Sequence, residues 1–323
     1  MYYPYFRGKQ FELIAIRESA ALLRESGFVP IVEPVRASLE GLDKTLMSLT
    51  DVGAQAVVVV NPRYGDHREN CEKILELLER NYQGSDVIKG GILLTSETSL
   101  DQALDLIRRV RGLAKEPERL EATLIHAGFT DPRALSDQLG GVAEGFRNVF
   151  LTDHANRLYR RHFQGKPRIL VSDGFVQMRN ADYPPVEAFS DLHITFPEEG
   201  MDGYGDFLTV GDSYSEGGGP AYAVAIHLTF IDPDQDDAMF IYHFKSDTND
   251  TPTDPAGKFA QALGKMIMKL DSGDSKLLET SAIREFRNLN EHGHFPGLGY
   301  VKKLSIKHHL ETLANYHYVN RND

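Results

Sequence analysis

Three carboxylates stand in or beside strand-like apolar runs. Glu33 closes FVPIVE, Asp173 follows RILVS, and Asp206 lies in YGDFLTV. Carboxylates held at strand ends can move a proton or hold a divalent metal. A second set follows the first three runs: Lys9 after YYPYFR, Arg36 after FVPIVE, and Asn61 and Arg63 after QAVVVV. Arginine's planar fork suits phosphate or carboxylate, so Lys9, Arg36, Asn61 and Arg63 are the candidate anion-binding residues. Glu33, Asp173 and Asp206 are the candidate catalytic residues, Asp173 or Asp206 as base or metal ligand and Glu33 as a second carboxylate. The cofactor stays open, a divalent metal being one such carboxylates would take. The plain alternative is that polar residues follow strands in any protein, because loops are exposed.

Placing these groups together requires a scaffold that brings strand ends to one face. Leu13, Ile16, Ala20 and Leu23 recur at helical spacing, predicting a helix over 11–26 with Gly27 in the C-cap position. A strand follows at 28–33 and a helix marked by Leu42, Leu46 and Leu49. Residues 55–60, QAVVVV, are an unbroken apolar run that fits a strand buried on both faces of a parallel sheet. The alternation continues through strands at 87–94, 122–126, 148–152 and 168–172. Strand followed by helix, repeated, predicts right-handed βαβ units.

In such folds ligands bind at the carboxyl ends of the strands. That mouth would also receive Arg7, His126, Asp153, Asp212, His243 and Lys245. No G-x-G-x-x-G follows the first strand, which favours a barrel over an open nucleotide-binding sheet. The expected fold is therefore α/β, a (β/α)₈ TIM-barrel-like domain over 1–323 with 175–250 as an elaboration or insertion. The runs 221–231 and 238–245, joined by DPDQDD, predict an antiparallel hairpin. Strand one must then pair with either 204–210 or 222–230, and the more apolar 222–230 is the expected partner. His227 and His243 lie on the two hairpin strands and would share a face, although strand histidines more often pack or face solvent than bind a metal.

Composition narrows the function classes. The chain has 323 residues and a net charge of −12, which disfavours nucleic acid as the main ligand. One cysteine, Cys71, excludes an intramolecular disulfide and fits a reducing compartment. No apolar run approaches the ~20 residues a membrane-spanning helix needs, and MYYPYFRGKQ has no secretory apolar core. A cytoplasmic location is expected.

The opening YFRGKQFELIAIRE, the later VPIVEP, the segment Tyr204-Gly205-Asp206-Phe207 and the hairpin carrying HLTF and HFKSD together resemble a bacterial family related to the phage beta-protein family. The resemblance covers most of the chain. It implies a TIM-barrel-like fold and genes lying among mobile-element and phage-defence loci, and it carries no activity with it. Two readings follow. One is an enzyme acting on a small anionic or phosphorylated molecule at the C-terminal barrel face. The other is a non-catalytic scaffold, sensor or partner subunit of a phage-defence system, its hairpin docking a protein such as a nuclease.

Overall fold

Ala56–Val59 reads AVVV, and every residue of it is buried. Such a strand needs cover on both faces and neighbours on both edges, and the chain supplies them in sequence order. The computed structural model describes residues 1–114, 122–140, 145–217, 219 and 221–322. Its elements run β1 (Tyr5–Phe6), α1 (Gln10–Glu18), α2 (Ala20–Ser26), β2 (Ile31–Val32), α3 (Glu40–Val52), β3 (Ala56–Val59), α4 (Glu72–Tyr82), β4 (Ile88–Thr95), α5 (Leu100–Gly112), β5 (Ala122–Ala127), α6 (Pro132–Leu139), β6 (Phe146–Leu151), α7 (Arg157–Arg160) and β7 (Arg168–Val171). Then come β8 (Val186–Ser190), α8 (Leu192–Thr195), β9 (Gly203–Gly205), β10 (Ala225–Asp232), β11 (Ala238–Lys245), α9 (Pro255–Asp271), α10 (Ser281–Glu291) and α11 (Leu298–Asn322). The chain divides into two compact units, Met1–Asp173 with Thr195–Phe207 and Gly174–Ile194 with Leu208–Asp323. Of the 175–250 stretch expected as an elaboration on one domain, 175–194 and 208–250 fall in the second unit with the C-terminal helices, while Thr195–Phe207 stays with the first.

The first unit holds an eight-stranded parallel sheet in the order β1-β2-β3-β4-β5-β6-β7-β9. It is barrel-like and nearly closed. A parallel bridge joins Tyr2 to Tyr204. Tyr3 N–H donates to the Tyr204 carbonyl at 2.8 Å and Tyr5 N–H to that of Asp206 at 2.9 Å. The predicted partner of strand one, 222–230, is thus replaced by 203–205. Apolarity was the wrong criterion here. A Cβ on Gly205 would lie 2.1 Å from the Tyr3 carbonyl oxygen, and one on Gly203 2.7 Å from that of Met1. Closure needs glycines that let two backbones approach, not a more apolar strand.

One face of the first seven strands converges in a single cluster that includes Tyr5, Ile31, Val57, Val59, Leu93, Ile125, Val149 and Val171, joined by Tyr3 before β1 and Phe207 after β9. Because side chains alternate along a strand, residues two positions on from this set continue the inner face, and those one position off lie outside. The predicted helix over 11–26 is two helices broken at Ser19, with Gly27 left-handed at the end as expected. Ser99 and Gln102 form a capping box that starts α5.

The second unit has a three-stranded antiparallel sheet in the order β10-β11-β8. The predicted hairpin is present, in register Ile226↔Phe244, His227↔His243 and Leu228↔Tyr242. Ile226, Leu228 and Phe244 pack with Phe259, Leu263 and Met266 of α9, Ile283 and Phe286 of α10 and Leu304 of α11. His243 and Lys245, expected at the barrel mouth, belong to this sheet instead. Among the described residues no helix is long and apolar enough to cross a membrane.

Candidate functional site

At the carboxyl ends of β1 and β2 the inner face carries Arg7 and Glu33, two residues beyond Tyr5 and Ile31. Both are buried, Glu33 completely. Glu33 accepts from the Arg7 guanidinium, from the Tyr5 hydroxyl at 2.9 Å and from the Arg63 backbone N–H at 2.7 Å. The Arg7 guanidinium carbon lies 4.9 Å from the Tyr5 ring centre and 5.2 Å from those of Tyr64 and Phe207. Burial, then the Glu33 charge, holds the Tyr5 hydroxyl well above its usual pKa. The carboxylate and the cation are committed to each other and to the rings around them. A buried pair of this kind organises its surroundings, and breaking it leaves an uncompensated charge.

The other predicted residues are distributed more widely. Asn61 continues the β3–β4 ladder with its side chain, donating to the Leu93 carbonyl and accepting from the Leu93 N–H, both at 2.8 Å. Arg63 lies over Tyr64, 4.9 Å from the ring centre. Lys9 is half-buried at the N-cap of α1. Arg36 is exposed, and its carbonyl accepts from the His67 ring at 2.9 Å. Asp173 is exposed just past β7. Asp206 is one position off the inner set and accepts from the buried Tyr2 hydroxyl at 2.7 Å. The fold therefore brings Glu33 and Arg63 together and sets Asp206 on the opposite face of the sheet.

His126 also points outward. Its Nε2 donates to the Asn148 side-chain oxygen at 3.1 Å, and its Nδ1 accepts from the Tyr159 hydroxyl at 2.7 Å. Burial lowers its pKa to about 3. A groove of about 610 Å³ runs past Asn61, Arg63 and Thr95, but its charged lining is Arg63 and Arg68 against Glu69, Glu97, Asp101 and Asp105. Two cations against four carboxylates do not favour an anion. The donors do not fit a divalent metal either. Glu33's oxygens are taken by protein hydrogens, and among the described residues no group of three or more His, Cys, Asp or Glu could hold a metal ion.

The second unit holds a different arrangement. On the sheet face away from Ile226 and Leu228, His227 Nδ1 and His243 Nδ1 are 2.6 Å apart. His243 Nε2 is 2.9 Å from a Glu187 carboxylate oxygen. With Glu187 ionised, only one proton arrangement satisfies the chain. His243 Nε2–H donates to the carboxylate, its bare Nδ1 accepts from His227 Nδ1–H, and His227 Nε2 keeps its lone pair. That nitrogen makes no hydrogen bond among the described residues.

His227 is half-buried and forms part of the wall of a cavity of about 970 Å³ whose lining comes entirely from this unit. Both imidazoles are kept neutral. Burial, then the repulsion a protonated His243 would exert and the Lys302 charge, holds His227 well below its usual pKa, and burial followed by Lys245 lowers His243 to about 4. Burial raises the Glu187 carboxyl. No protein-family model matches this chain, and no curated protein matches it.

The rings are locked from the loop side. Lys245 Nζ donates to the Ala181 carbonyl at 2.8 Å and to that of Tyr183. This seats Tyr183, which stacks on His243 at 4.4 Å and 21° and meets His227 edge-on at 4.8 Å. Phe175 also meets His227 edge-on, 5.1 Å away at 77°, and lies beside Tyr183 at 5.7 Å. Sequence spacing alone supplied one signal for this site, the facing positions of His227 and His243. Glu187 carried none, because β8 joins from 56 residues before His243.

Proposed function

We propose that the second unit is a proton-transfer site for a small molecule, with His227 Nε2 as general base. His243 and Glu187 are positioning residues: they fix the tautomer of His227 and take up the positive charge that forms when it accepts a proton. The observation that carries this reading is the line from Glu187 through His243 to His227, at 2.9 and 2.6 Å, ending on a ring nitrogen beside a cavity. Desolvation supports it, since it keeps both rings in the neutral form a base requires.

The first unit is then a TIM-barrel-like scaffold, a reading supported by its eight parallel strands in sequence order. Kinship with the phage beta-protein family remains part of this proposal. The alternative, a non-catalytic phage-defence subunit, relied on the hairpin as a docking element. That hairpin packs on α9, α10 and α11 and pairs with β8, which leaves less of it for a partner.

The test is the rate at which diethyl pyrocarbonate, which attacks neutral accessible imidazole, labels each histidine, read by mass spectrometry. His227 is expected to react faster than His126, His243 and His308. Replacing Glu187→Gln should slow its labelling about tenfold, because the base is oriented by the next group in line. Labelling of His227 that is absent, or indifferent to the Glu187 change, overturns the reading.

A further inference from the structure

The charge lining the His227 cavity has the opposite sign to that of the whole chain. The chain carries 47 acidic against 35 basic residues. The cavity's charged lining is Arg179 and Lys302 against Asp182. In the barrel unit's groove the same comparison runs the other way, two cations against four carboxylates. On a protein whose overall field repels anions, a locally cationic cavity selects for them at short range.

Lys302 is exposed on α11, lines the cavity and stands close enough to His227 for its charge to disfavour protonation of the ring. An ammonium beside a base performs two tasks with one charge. It keeps the imidazole neutral, and it holds an anionic group next to the atom that loses its proton. Beyond the charges the walls offer Tyr222, a half-exposed ring, with Val301 and Leu298 of α11. The volume lies at the upper end of the roughly 300–1,000 Å³ typical of small-molecule sites, more than a bare phosphate or acetate would fill.

We infer that this cavity takes a small organic anion with a flat apolar body, its carboxylate or phosphate group held by Lys302 and Arg179 and its body against Tyr222 and the apolar wall of α11. The inference rests on the proton-transfer reading only for the location of the reacting atom; the binding preference stands on the lining alone.

The experiment is calorimetric titration of the full chain with 2-naphthoate, 2-naphthyl phosphate and uncharged 2-naphthamide. At least one of the two anions should bind at least about tenfold more tightly than the amide, the margin that one charge-assisted hydrogen bond supplies. Which anion is preferred distinguishes a carboxylate site from a phosphate site. Lys302→Met should remove about tenfold of that affinity, and Lys302→Arg should restore most of it. Because Lys302 is exposed, neither change threatens the fold. The bound anion should also protect His227 from diethyl pyrocarbonate. No anion binding at millimolar concentration, equal affinity for the amide, or indifference to Lys302→Met overturns the inference. The two proposals fail separately: anion binding with an unreactive His227 sinks only the proton-transfer reading, and a reactive His227 with no anion binding sinks only this one.

Discussion

His126 of β5 and His227 of β10 both sit in sheets, are both kept neutral by desolvation, and are both ringed by aromatic side chains. They differ in how many ring nitrogens the protein consumes. His126 spends both, on Tyr159 and Asn148, and becomes part of the packing. His227 spends one on His243, and its other nitrogen makes no hydrogen bond among the described residues. The same contrast separates the two units. In the barrel unit the carboxylate and guanidinium at the strand ends, Glu33 and Arg7, are buried against each other. In the second unit a chain of partners runs inward from a cavity and stops one atom short of satisfaction. A polar group becomes a reagent when its neighbours satisfy all but the last of its bonds.

The largest expected effect tests whether the barrel's charges are structural. Arg7→Met should destabilise the first unit by about 3–5 kcal/mol, the cost of leaving a buried carboxylate unpaired, read by urea denaturation. A loss below about 1 kcal/mol, the size of an exposed pair, would mean Glu33 finds water and is available for chemistry, and the contrast would fail.

Next is the closing strand. Gly205→Ala puts a Cβ against the Tyr3 carbonyl and should cost about 1–3 kcal/mol through forced backbone movement. Loss of hydrogen-exchange protection at Tyr3 and Tyr5 would localise the damage. Unchanged protection there would show that the strand pairing does not depend on this close approach.

The third effect is acid sensitivity. His308 donates from Nε2 to the Thr229 carbonyl and accepts at Nδ1 from Thr280, and burial lowers its pKa to about 4. His126 is lowered to about 3. Below the ordinary histidine value of about 6.5 the unfolded chain takes up these protons and the folded one does not, so stability must fall as pH falls from there. The slope should be about 1.4 kcal/mol per pH unit for each such histidine, until pH reaches the folded values. His308→Gln should remove one histidine's part of the second unit's slope, His227 and His243 supplying the rest, and a profile flat between pH 6.5 and pH 4 would mean the rings are hydrated.

The smallest effect calibrates the rest. Arg157 is largely exposed and pairs with Glu199 at 2.5 Å. Arg157→Ala should cost no more than about 0.5 kcal/mol, because surface pairs exchange one solvated state for another. A cost matching that of Arg7→Met would show that pair length, rather than burial, sets these energies.

Much of the architecture was legible in the sequence because it follows from local pattern. QAVVVV had to be covered on both faces, Gly27 ended its helix in the left-handed conformation, and the alternation of strand with helix implied a parallel sheet. The hairpin and the facing of His227 and His243 were equally readable, because a two-residue period places both on one side. What tertiary structure decided was partnership. Gly203-Tyr204-Gly205 closes against strand one through backbone proximity, which no hydrophobic scale detects. Asp206 and Glu33 look alike as strand-end carboxylates, yet one position of register sends Asp206 to the Tyr2 hydroxyl and Glu33 to Arg7. Glu187 reaches His243 only because β8 pairs with β11. Whether a polar side chain acts as a strut or a reagent depends on which atoms stand within about 3 Å of it after packing. Spacing along the chain sets the face a residue occupies, and folding sets what waits there.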